Sequence, residues 1–95
     1  MTRLKVKNKQ DTSGQRPPQP YSDLSWLKFW EEKTGLPALV CAKCDCSNWA
    51  KHGAHVQKCD DPLDKKTYIV PLCEECNNVN NTGEFYIDCP LCPVS

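Results

Sequence analysis

Cys41-Ala-Lys-Cys44-Asp-Cys46 and Pro71-Leu72-Cys73-Glu-Glu-Cys76-Asn77-Asn78 are the stretches that decide how this chain folds. Each carries a Cys-x2-Cys pair. Two intervening residues let a tight turn aim both sulfurs at one ion at about 2.3 Å, with backbone N–H groups left to stabilise the thiolates. A tetrahedral ion needs four ligands, so Cys41, Cys44, Cys73 and Cys76 make one closed zinc site. The 28 residues between the pairs leave room for a hairpin. Cys46 lies close enough to Cys44 for the two to exchange roles.

Outward from this site, four more cysteines remain. Cys89-Pro-Leu-Cys92 is a third pair, and Cys46 and Cys59 complete a second set of four. Cys46, Cys59, Cys89 and Cys92 could hold a second zinc. Mixed sites using His52 or His55, or a pair left reduced, are the alternatives. Disulfide bonding is the competing use of eight cysteines. Met1-Thr-Arg-Leu-Lys-Val-Lys lacks the apolar core of a signal peptide, however, so the expected setting is intracellular, where thiols stay reduced. The longest apolar run, Leu36 to Ala42, is broken by Pro37, so no membrane span is expected.

A metal staple suits the composition. The 95 residues are 39% hydrophobic with a mean hydropathy of −0.64, which leaves little core to hold a fold. Chains this small usually need disulfides or a metal. A structural zinc contributes an apparent ~10–16 kcal/mol in small peptide modules.

Between the knuckles, Lys51 to Lys58 reads as a short strand with a turn at Gly53. Asp60 to Lys66 reads as a charged turn, and Thr67-Tyr-Ile-Val70 as a second strand. Phe85-Tyr86-Ile87 is a third strand, and a short helix could begin near Cys73. Upstream, Ser22 or Asp23 is a fair N-cap for a helix running to about Thr34. Its Leu24, Leu27 and Trp30 share a face, and Trp26 and Trp30 are four apart. Gly35 and Pro37 stop it. This aromatic helix is expected to lid the metal-stapled part. The order of knuckle, hairpin and knuckle is the treble-clef plan. The expected fold is therefore a small α+β zinc-binding domain over residues 21–95, treble-clef-like, with an N-terminal amphipathic helix.

Formal charge is zero overall but unevenly spread. Residues 1–20 carry +4 and residues 21–95 carry −4. The first stretch, ending Gln15-Arg16-Pro17-Pro18-Gln19-Pro20, reads as a disordered basic tail. Nucleic-acid affinity comes largely from Lys and Arg neutralising phosphates. Contact with nucleic acid would therefore come from this tail or from a local cluster that only folding creates.

Three resemblances extend this reading. Cys41-x2-Cys44, Gly53-Ala-His55-Val and Ile69-Val-Pro-Leu-Cys73-x2-Cys76-Asn77 resemble the core of HNH-type endonucleases. That likeness implies His55 as the base activating water, Asn77 or Asn78 at the last motif position, and Mg²⁺ at the scissile phosphate. The middle Asn is absent, and Ala54 stands where an Asp or His often adjoins the first His. Ser25-Trp-Leu-Lys-Phe-Trp-Glu, Gly53-Ala-His-Val, Tyr68-Ile-Val-Pro-Leu-Cys and Cys76-Asn-Asn are similar to a family of small uncharacterised zinc proteins of treble-clef plan. Cys89-Pro-Leu-Cys92 resembles the closing pair of RING-type domains. Four thiolates leave no open position on the metal. The leading expectation is thus a binding or adaptor module for a protein or nucleic-acid partner, not an enzyme. The HNH-like nuclease with His55 and Asn78, and the RING-like interaction domain, are its rivals.

Overall fold

A computed structural model describes residues 3–9, 17, 19–44, 46–59, 63–64, 66–77 and 83–94. It shows an antiparallel five-stranded sheet and one helix. The strands are β1 (Leu4–Asn8), β2 (His52–Lys58), β3 (Tyr68–Leu72), β4 (Glu84–Ile87) and β5 (Cys92–Pro93), and α1 is Trp26–Thr34. Their order across the sheet is β4-β1-β2-β3-β5.

The hairpin expected between the knuckles is β2–β3, with His55 opposite Ile69 and Ala54 opposite Val70. Asp64 braces its turn. The Tyr68 hydroxyl donates to Asp64 Oδ2 at 2.6 Å, and Lys58 pairs with the same oxygen at 3.6 Å. The strand runs on through Pro71, whose carbonyl accepts the Ala42 N–H at 2.7 Å.

The basic tail expected to be disordered is corrected for residues 3–9. Leu4-Lys-Val-Lys-Asn8 lies inside the sheet, with Val6 opposite Phe85 on one side and Lys58 on the other. Val6 is fully buried. Pairing on both edges and one deeply buried side chain repay an ordering cost that composition alone makes look prohibitive. Residues 1, 2, 10–16 and 18 lie outside the described residues.

Strand alternation sorts the side chains onto two faces. One face carries Val6, Ala54, Val56, Tyr68, Val70, Leu72, Phe85 and Ile87, and these join Cys41, Cys73 and Cys76 in one buried cluster. The other face carries Ile69 and Cys92, which pack beneath Phe29 and Trp30 of α1. The helix therefore covers the opposite face of the sheet from the cysteine cluster and does not lid it. Its cap also shifts: Ser25 Oγ, not Ser22 or Asp23, accepts the Lys28 N–H at 3.1 Å. Gly35 closes it at φ 73°, in the left-handed region glycine tolerates. Trp30 Nε1 donates to the Pro90 carbonyl at 3.0 Å and ties the helix to the C-terminal segment.

Among the described residues, no helix is long and apolar enough to cross a membrane.

Candidate metal centre

Two segments that flank the hairpin build the centre. The first enters β2: Cys41 N–H donates to the Asn48 carbonyl at 2.9 Å and Ala50 N–H to the Leu39 carbonyl at 3.0 Å, closing a loop. The second leaves β3 directly into a turn at Cys73–Asn77, where Asn77 N–H donates to the Cys73 carbonyl at 3.0 Å. The pairing of β2 with β3 brings both segments to the same end of the hairpin.

There the Sγ atoms of Cys41, Cys46, Cys73 and Cys76 lie within 4.8 Å of one another and could hold a metal ion. The Cys46 sulfur is 3.8 Å from those of Cys73 and Cys76. Cys41, Cys73 and Cys76 are buried and Cys46 is half-buried.

Cys46 thus stands where the Cys-x2-Cys spacing puts Cys44. The cause is a tertiary contact. Lys43 bridges to Ile87, and Cys44 N–H donates to the Tyr86 carbonyl at 2.8 Å. Residues 43 and 44 are thereby drawn to the edge of β4. The chain then turns back, with Cys46 N–H donating to the Lys43 carbonyl at 3.2 Å, and delivers Cys46 to the group.

Donors prepare the sulfurs unequally. Burial pushes the Cys73 thiol up. The N–H of Cys76, the Asn48 amide and the neighbouring thiols of Cys76 and Cys46 outweigh burial and bring it down to about 6. Asn48 Nδ2 sits 3.7 Å from that sulfur. Cys41 is raised by burial despite N–H donation from Cys73 and Lys43. Cys76 is raised by burial and by the thiols beside it. Cys73 is therefore the group's ready thiolate. A cation would have to displace protons from Cys41 and Cys76, so binding there is linked to proton release.

The second set of four is not brought together. Cys46 belongs to the first group, and among the described residues Cys44, Cys59, Cys89 and Cys92 assemble with no third ligand. Cys59 N–H donates to the Lys5 carbonyl beside β1. Cys92 is buried under α1. Cys44 and Cys89 line an open groove of about 560 Å³ together with Cys41, Cys46, Trp30 and Leu39. Burial, then the carboxylate of Asp88, pushes the Cys89 thiol up to about 12.

Neither histidine joins the group. His52 is exposed. His55 is only 8% exposed, on the helix side of the sheet, with its ring 4.6 Å from that of Trp26 in edge contact. Its Nε2 has no hydrogen-bond partner among the described residues. Burial and the Lys9 ammonium both lower its pKa. Asn78 lies outside the described residues.

Comparison of the chain with protein-family profiles, with characterised proteins and with solved structures returns no match. What the centre can do rests on its own geometry.

Proposed function

We propose that the chain is a binding module whose fold is held by one structural zinc ion on Cys41, Cys46, Cys73 and Cys76. The observation that carries this is the sulfur spacing. Four sulfurs at the vertices of a tetrahedron, each about 2.3 Å from zinc, stand about 3.8 Å apart along its edges. The Cys46 sulfur meets two of its neighbours at that separation. Four soft thiolates in a closed set suit zinc over magnesium or calcium. They also leave no position for a reacting water, which argues for a structural role. The succession of knuckle, hairpin β2–β3 and second knuckle supports a treble-clef-like arrangement, with Cys46 in place of Cys44.

The same reading makes His55 a packing residue. A base that activates water must reach that water within hydrogen-bond distance. The His55 ring is instead covered by Trp26.

The experiment is metal quantification on the purified chain and on two variants. Wild type and Cys44→Ser are expected to hold one zinc per chain, and Cys46→Ser to lose it. Retention in Cys46→Ser with loss in Cys44→Ser would overturn the ligand assignment. A metal-free folded wild type would overturn the proposal.

A further inference from the structure

β1 carries a row of cations on one face. Lys5, Lys7 and Lys9 alternate with Leu4, Val6 and Asn8, so all three stand on the side of the sheet away from the cysteine cluster. Arg3, exposed, lies just before them. Helix α1 packs on β2, β3 and β5 of this face and touches neither β1 nor β4. Among the described residues the helix therefore leaves the β1–β4 half uncovered, with Glu84 and Tyr86 exposed there.

Three features suit that half to a strand of phosphates and bases. The lysines recur every second residue, about 6.8 Å apart. That repeat is comparable with successive phosphates along an extended strand. Tyr86, opposite Lys5 in β4, is 49% exposed on the same face. The Lys5 ammonium lies 5.8 Å from its ring centroid. The cations are also held in place: Lys9 Nζ donates to Thr67 Oγ1 at 2.5 Å, and Lys5 pairs with Glu84 at 3.4 Å. Among the described residues, Glu84 and the exposed Asp88 just past β4 are the carboxylates at this edge. Two of them against Arg3, Lys5, Lys7 and Lys9 leave it net positive. The remainder of the chain is acidic. Charge complementarity thus points to this face for a polyanion, and the half-exposed aromatic ring selects one with unpaired bases.

We propose that the β1–β4 face binds single-stranded nucleic acid, with Arg3, Lys5, Lys7 and Lys9 on the phosphates and Tyr86 as a stacking platform. This deepens the reading of the chain as a zinc-held binding module and rests on it. Lysines along a strand track the backbone without reading sequence, and a tyrosine ring accepts any base. Recognition is accordingly of strandedness more than of sequence.

The test is fluorescence anisotropy of a labelled oligothymidylate of about twelve nucleotides, titrated with the metal-loaded full chain across a salt series. Three or four phosphate contacts predict a slope of log affinity against log salt of about −2 to −3. Lys7→Gln is expected to flatten the slope by about 0.7. Glu84→Gln is expected to strengthen binding. Tyr86→Ala is expected to weaken it about tenfold and leave the slope unchanged. Zinc content and melting temperature are measured on every variant, so a failed metal site is seen separately from a failed surface. No binding by the folded, zinc-loaded chain at about 50 mM salt would overturn the proposal. So would equal affinity for the annealed duplex with Tyr86→Ala silent, or equal affinity for polyglutamate.

Discussion

His55 and Cys46 show how much a single side chain's surroundings decide. The His55 ring is enclosed by Trp26 and the sheet, so burial, aided by Lys9, favours its neutral form. The unfolded chain's histidine takes up a proton near its ordinary value of 6.5. Below that pH the unfolded state binds more protons than the folded one, and stability falls with pH. The loss begins near pH 6.5 and continues down to the depressed folded value. Denaturant midpoints of wild type and His55→Leu at about pH 7.5 and pH 5.5 check this, because both proteins share the acid response of the thiolates. Wild type is expected to lose more stability between the two than His55→Leu. Equal losses would show that the ring titrates as freely in the fold as outside it. Cys46 was legible in sequence only as an alternative to Cys44. The pair spacing favours Cys44, and the contact that removes Cys44, Lys43 against Ile87, joins residues too far apart for spacing to register.

At the scale of elements, the docking of α1 on the sheet turns on Gly53. A Cβ at that position would stand 2.3 Å from the Trp26 carbonyl carbon and 2.5 Å from the Leu27 nitrogen. Both are backbone atoms at the start of the helix, so no rotamer change relieves the clash. Gly53→Ala is expected to cost about 1–3 kcal/mol, as overpacked sites do. That should lower the melting temperature by several degrees per kcal/mol in a domain of this size. Gly83→Ala, with nothing within 4 Å of the added carbon, is the control and should change little. Zinc content should survive in both, since Cys41, Cys46, Cys73 and Cys76 belong to the cluster on the other face. The helix and the β2–β3 hairpin were readable because each carries local signals: an aromatic periodicity with a glycine stop, and a β-branched run after a charged turn. The face the helix covers was not readable, because a Gly in a strand does not say which element approaches it.

For the molecule as a whole, β1 is the test. In the chain it is a lysine-rich opening with a single deeply buried residue, and its charge conceals the alternation of Leu4 and Val6. In space it separates β4 from β2. A dispensable arm could be removed with a change within about 0.5 kcal/mol. Deleting residues 1–9 is instead expected to abolish the cooperative thermal transition. Val6→Asp, which places a carboxylate in the core, should cost about 4 kcal/mol or more. Circular dichroism melts of the zinc-loaded proteins measure both. An unchanged melt on truncation would return the segment to the status of a tail.

The position of β1 also orders events during synthesis. Among the described residues its partner β4 pairs with no other strand, and the two are separated by most of the chain. β1 must therefore wait, unpaired on that edge, until the residues of β4 have been synthesised. Closure of the β1–β4 pair thus follows the synthesis of nearly all that lies between them, and a nascent chain stalled before that point would expose the lysine strand to whatever polyanion lies nearest.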